Sequence, residues 1–461
     1  MFGLGRSTVQ TVAGVCAVTA ALAAAGVAPA VAAPATATPA TARQVCLAPG
    51  GAQPDQAVYP AAISADGRFA LVDSSAGNLV PGGNNGNGGV LVCDLRTGHV
   101  ERADLSDAGA QPDGFSSPGA ISANGRYVVF TSSAGNLVPG TTQGVDNIYL
   151  RDLRTRHTEL ISVGTGGAPQ VGGSAQPSIS ADGRYVAFNS NRSDLVPGDT
   201  NQASDAFVRD RRTGSTVRVS VHSDGTQGAA GSFWPSISAD GSRVVFVSRD
   251  RDLATDVPTT ASSPAASTDA AASDLAPHKA RYYPLFTHDL RTGRTAVASV
   301  EPDGTTTADV TAGRISADGR SAVFTSLDND YLAPSQVMVR DLDRGTTTLV
   351  SAAADGTAGN RSSSLLALSP DHRFAYFGST ADNLLPGGAS DSLAFYRRDL
   401  RSGRSERLLE LPLLPDGGAQ GVGASVDAAG SVLLFGADGS TVLPGDTDHT
   451  AQAFTVRLGR R

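Results

Sequence analysis

Lysine is almost absent: Lys279 is the only one among 36 basic residues, and 44 acidic residues leave a formal net charge of -8. A nucleic-acid binder needs a basic stripe to displace counterions, so that class is excluded. Charged residues of both signs reach only 17%, while 53 Gly and 25 Pro break up the chain, which excludes a long helical or coiled-coil protein. Glutamate is scarce too, confined to Glu101, Glu159, Glu301, Glu406 and Glu410. A catalytic carboxylate pair would therefore have to come from aspartate. Cysteine occurs three times, at Cys16, Cys46 and Cys93, with no Cys-x-x-Cys and no Cys/His cluster, so a thiolate metal centre has no basis. Aromatic residues make up 5%, and Trp234 is the single tryptophan.

One apolar stretch is present, and it stands at the start. Residues 11–33 are rich in Ala and Val, follow Arg6, and end in small residues. This layout predicts a secretory signal peptide over residues 1–32, cleaved after Ala32, and an Ala/Thr/Pro linker over 33–42. The mature chain is then expected to be secreted, extracellular or in the cell envelope, without a membrane span.

A chain of 461 residues exceeds one ordinary hydrophobic core, so it is multi-domain or repetitive. It is repetitive. Ile-Ser-Ala-Asp-Gly-Arg or a close variant recurs with its Ser at Ser64, Ser122, Ser180, Ser238 and Ser316; Ser369 leads a sixth copy, and Asp427 takes the Ser place in a seventh. Four of the six steps between them are 58 residues; the others are 78 and 53. Each repeat holds four strand-like runs, such as Tyr127 to Phe130 and Ile148 to Asp152, joined by Asp-Gly and Thr-Gly turns. Such a pattern predicts an all-β, seven-bladed β-propeller of four-stranded antiparallel blades over residues 43–461. The seventh repeat stops after its third strand, and Arg43 to Gly51 aligns with the fourth strand and exit loop of another repeat, Glu159 to Gly167. Arg43 to Ala48 is thus expected to complete the last blade and close the ring, hiding two sheet edges. This arrangement would put Cys46 on the outer strand of one blade and Cys93 on the third strand of its neighbour. Blades diverge outwards, so two free thiols are expected.

Ser180 to Phe188 (SADGRYVAF), followed by Phe207 to Asp210 (FVRD), resembles the TolB-like, WD40-like (PD40-type) propeller repeat. The resemblance spans essentially all of residues 43–461. It implies blade design and no common activity. TolB proper has six blades and a separate N-terminal domain; here only residues 43–63 precede the first motif, so a role in the Tol system is not implied.

Little chemistry is legible. There is no Gly-x-Ser-x-Gly elbow, no His-Glu-x-x-His, no phosphate loop and no dinucleotide fingerprint. The repeated Ser and Asp read as turn-formers. Candidate sites fall instead in loops that differ between repeats. After Gly198, the residues Asp199, Asn201 and Asp205, and after Gly445 the residues Asp446 and Asp448, place oxygen ligands as a calcium loop would; an Asx-rich turn explains the same spacing. Phe233 and Trp234 stand in another variable loop, and residues 259–279 form an Ala/Ser/Thr/Pro-rich insertion read as a mobile flap or neutral drift. No cofactor other than possible calcium is expected. Two functions remain open. One is a monomeric, non-enzymatic scaffold binding a protein or a cell-wall or extracellular glycan. The other is a propeller enzyme, a polysaccharide lyase or hydrolase, working in the central funnel.

Overall fold

The computed structural model describes residues 42–84, 88–166, 172–254, 283–327, 333–369, 372–387, 392–413, 423–443 and 450–459. The expected signal peptide, nearly all of the linker, the 259–279 insertion, Asp446 and Asp448 lie outside the described residues.

The described chain is almost entirely β. In the third repeat, strands Ser174–Ile179, Tyr185–Ser190, Asp205–Asp210 and Ser215–Arg218 pair antiparallel in chain order. The first, second and sixth repeats give four-stranded sheets of the same order. The fourth and fifth repeats follow it too, but Tyr283↔Val310 and Pro284↔Asp309 pairing fuses them into one eight-stranded sheet. In the seventh, Ser425–Val426, Val432–Asp438 and Ala451–Arg457 are joined at their open edge by Arg43–Gln44, with Arg43 opposite Thr455 and Gln44 opposite Phe454. The paired segment is shorter than Arg43 to Ala48, because the chain leaves the sheet at Cys46, whose φ is 58°.

Continuous apolar second and third strands become the buried middle of each sheet, covered by neighbouring sheets on both faces. Directly opposed aromatic rings mark this layer: Phe130 with Tyr149 at 5.6 Å, Phe188 with Phe207 at 5.9 Å, and Phe377 with Tyr396 at 5.3 Å between centroids.

The repeated motif builds one end of every sheet. Ser64 Oγ donates to Asp66 Oδ1 (2.6 Å) and accepts from the Phe69 amide (2.9 Å), pinning the tight turn. In the last repeat, Asp427 does the same work by accepting from the Ser431 and Val432 amides. The turn glycine is required twice over at Gly125: its φ is +72°, and a Cβ there would stand 2.1 Å from the Phe69 ring of the preceding repeat. The motif arginine then bridges to the aspartate closing the third strand, as in Arg68–Asp94 (2.6 Å), Arg126–Asp152 (2.6 Å) and Arg184–Asp210 (2.5 Å). Motif alanines link repeats through backbone bonds: Ala123 N to Ala181 O (3.1 Å), Ala181 N to Ala239 O (2.9 Å) and Ala239 N to Ala317 O (2.8 Å). Ala428 N donates to Ala65 O in the same way (3.0 Å), linking the seventh repeat to the first.

The cysteines overturn the expectation of free thiols. Cys46 and Cys93 form a disulfide with Cα atoms 5.5 Å apart. Cys46 is not on the outer strand; it lies in the segment running from that strand towards the first repeat, in a core cluster with Val58, Val72 and Cys93. Cys93 holds the place that Arg151 holds in the second repeat, one residue before the closing aspartate. Arg151 reaches back to the carbonyls of Leu105 and Ser106 in the preceding connection (3.1 and 3.2 Å). At the first repeat, sulfur makes the link that a guanidinium makes at the second.

Candidate functional site

Strand order sends the first-to-second and third-to-fourth connections to one end of each sheet, the turn end. All other connections emerge at the opposite, loop end. The Asp199–Asp205 loop lies there, and the connection leading into the Phe233–Trp234 strand packs against it: Asn201 Nδ2 donates to Gly228 O (2.9 Å) and the Ser232 amide donates to Ser204 O (2.6 Å).

The two segments play different parts. Asp199 and Asp205 point inwards, their side chains 3% and 0% exposed. Between them lies Arg218 from the fourth strand, with Nη1 3.5 Å from each carboxylate. Ser220 Oγ donates to Asp205 Oδ1 (2.6 Å), Asn201 Nδ2 to Asp205 Oδ2 (3.1 Å), and Gln227 Nε2 to Asp199 Oδ1 (3.1 Å). Burial pushes the Asp205 carboxyl above its ordinary range, against the pull of Ser220 and Arg218. The cation between these carboxylates is a guanidinium of the chain itself. Among the described residues, no group of three or more His, Cys, Asp or Glu side chains stands where it could hold a metal ion.

Phe233 and Trp234 lie not in a loop, as expected, but within the first strand of the fourth repeat, Phe233 half-buried and Trp234 exposed. They interrupt the pairing of Ser232–Ile237 with Arg243–Ser248 by a bulge between Phe233 and Ser236. Trp234 sits at φ 52°, a left-handed conformation costly for a bulky residue, and is one of five exposed large apolar residues among those described, at 40%. Its amide is held by Gln176 Oε1 of the third repeat (3.1 Å), and Gln176, in the equivalent bulge, is itself left-handed at φ 57°. The Phe233 ring lies 6.5 Å from the Trp234 ring, and the Arg249 guanidinium covers Phe233 at 5.2 Å and Tyr283 at 5.5 Å. The result is a supported aromatic wedge with an open face.

Two further exposed aromatics escaped sequence reading: Tyr59 on the first strand of the first repeat and Phe115 just before that of the second. Tyr59-Pro60 matches Trp234-Pro235 as an aromatic-proline pair, and that dipeptide was the available signal. No helix among the described residues is long and apolar enough to cross a membrane.

No family model matches the chain, and no curated protein does. Solved structures do. An oligogalacturonate lyase in complex with manganese aligns with TM-score 0.54 and 13% identity over 91% of this chain and 97% of that one. The oligogalacturonate lyase of Vibrio parahaemolyticus aligns with TM-score 0.51 and 12% identity over 88% and 90%. TolB from Acinetobacter baumannii gives TM-score 0.36 and 17% identity over 63% of this chain, which spans about half (52%) of that one. At these identities the likeness is one of fold.

Proposed function

We propose that this TolB-like, WD40-like β-propeller repeat protein is a non-enzymatic binding scaffold whose partner docks on the loop end, against the Phe233–Trp234 wedge. The observation that carries the reading is Trp234 itself: a large indole held in a strained backbone, buttressed by Gln176 and exposed on its outer side. Such a group suits a partner with a flat apolar face, either a sugar ring of an extracellular or cell-wall glycan or an apolar side chain of a protein.

The scaffold we envisage is a closed ring of seven blades. In its favour, the Ala428–Ala65 bond repeats the bond between successive motifs, and Val58–Ile63 packs against Ser425–Val426 as well as against Ser116–Ile121. Arg43–Gln44 supplies the fourth strand that the last repeat lacks. Export to an oxidising compartment is part of the same proposal and is supported by the Cys46–Cys93 disulfide.

Because Trp234 is the only tryptophan, its emission reports on the site directly. A glycan array and a pull-down with the mature protein supply the partner, and titration should then shift or quench the emission. Trp234→Ala should abolish capture and leave the melting transition in place. Capture undiminished in that variant overturns the assignment of this site, and release of cleaved products from a captured glycan would replace binding by catalysis.

A further inference from the structure

At the turn end, between the fourth and fifth repeats, the structure holds a groove of about 460 Å³. Its origin is a local departure from the motif. The place taken by Phe69, Tyr127 and Tyr185 in the first three repeats, whose rings pack under the next repeat's turn glycine, is occupied by Arg243 in the fourth. Ring atoms come within 2.1–2.2 Å of the Cβ positions built on Gly125, Gly183 and Gly241, whereas the nearest atom to that of Gly319 is Ser238 Cβ at 3.3 Å. Without its aromatic wedge, this junction stays open.

The lining mixes apolar residues such as Val297 and Leu342 with charged ones, and is net positive, with five arginines against two aspartates. Arg243 ties the two walls together, donating to Asp289 (3.2 Å), to Gly319 O (3.0 Å) and to Asp343 (3.1 Å). Both carboxylates are thereby engaged, and Arg291, Arg294, Arg340 and Arg344 line the rest, with Arg344 donating to Asp341 (3.0 Å) and Arg340 to Thr347 Oγ1 (3.1 Å) behind them. The side chains of Arg291 and Arg344 are 75% and 78% exposed, at the ends of two facing turns. Thr287 also lines the groove, with its Oγ1 sealed beneath the surface and without a hydrogen-bond partner.

We infer that this groove is a second binding site, separate from the aromatic wedge, for a ligand carrying carboxylates spaced among hydroxyl groups: an acidic oligosaccharide. Guanidinium forks match carboxylates in pairs of parallel hydrogen bonds. Asp289 and Asp343 oppose a densely phosphorylated chain but can accept hydrogen bonds from sugar hydroxyls. The groove's lining contains no aromatic residue, so recognition there is by charge and hydrogen bonding, not by ring stacking.

Calorimetry on the mature protein at low salt tests this with three probes. They are a tetrasaccharide alternating glucuronate and N-acetylglucosamine, the neutral N-acetylglucosamine tetramer, and tetraglutamate. The acidic sugar should bind, the neutral one should not, and tetraglutamate should bind at least tenfold more weakly. Arg291→Ala/Arg344→Ala should weaken the acidic sugar at least tenfold with an unchanged melting curve, and Trp234→Ala should leave this binding intact. Absence of acidic-sugar binding, or equal affinity for tetraglutamate, overturns the inference. So does an affinity that survives the double substitution, or one lost in Trp234→Ala, which would assign the sugar to the wedge.

Discussion

The two ends of the sheets solve the same problem, closing polar connections over a β core, in opposite ways. At the turn end one solution is copied: a serine or aspartate pins the turn, an arginine bridges to the closing aspartate, and a glycine admits the neighbouring repeat. At the loop end each repeat improvises. The third repeat reaches back from Arg192 to Asn147 of the second and buries Arg218 between Asp199 and Asp205, whereas the first buries Arg102 against Asp104 at 2.7 Å. Copied chemistry is architecture, because residues needed in every blade rarely make one site. Singular chemistry is where recognition is to be sought, and the Arg243 groove extends that rule to the copied end, at a junction where the copy fails.

The contrast can be broken most forcibly at glycine. Gly125→Ala puts a Cβ at positive φ into the Phe69 ring and should cost about 3 kcal/mol. At the loop end, Gly109 has φ +79° and nothing within 4 Å of its Cβ position, so Gly109→Ala should cost only about 1 kcal/mol. Urea denaturation of the two variants compares them, and equal losses would mean that inter-repeat packing at the turn end is unimportant.

Acid titration separates the ends by sign. At the turn end, the Arg68 hydrogen bond holds Asp94 down to about 2, Arg184 holds Asp210 low, and Arg126 with the turn amides depresses Asp152 against the effect of burial. Their folded pKa values lie below the unfolded value of about 3.9, so their stabilisation is full above pH ~4 and is lost as pH falls through the folded values. At the loop end, burial raises Asp104, Asp205 and Asp309. For these the folded state binds protons more readily than the unfolded one, so stability rises as pH falls towards 4. Urea midpoints measured between pH 7 and 2 should therefore hold or rise first and then drop steeply below pH 4. A steady decline from pH 7 would show that the buried loop-end carboxylates do not resist ionisation.

The smallest effect is expected at the wedge. Trp234→Gly relieves a left-handed backbone while giving up an exposed ring, so stability should change by less than about 1 kcal/mol in either direction. A larger loss would make Trp234 part of the architecture, on the copied side of the comparison.

Sequence reading went furthest where chemistry repeats. Ser64 and its counterparts announced the period, and the likeness of Arg43 to Gly51 to Glu159 to Gly167 announced the pairing now seen between Arg43 and Thr455. It failed where partners come from outside the local pattern. Arg218 lies on a different strand from the Asp199 loop, so the spacing of oxygens alone gave no sign of the guanidinium that stands between Asp199 and Asp205. Cys93 gave its signal only through its place: it stands where other repeats use arginine to reach the preceding connection. Treating Cys46 as part of the outer strand, when that strand ends at Gln44, placed it too far away. The groove arises from Arg243 standing in an aromatic's place, a substitution that is visible in sequence but whose effect depends on the ring it omits.

That disulfide also decides how the molecule bears load. A pull on the amino-terminal end meets first the two paired residues of Arg43–Gln44, which would peel from Ala451–Arg457 like the end of a zip. Peeling then arrives at Cys46, where the tension passes through covalent sulfur into Val90–Asp94 in the first sheet. A two-residue edge strand is thus followed, two residues on, by a covalent stitch, and peeling that starts at Arg43–Gln44 has to stop there unless a reductant cuts it.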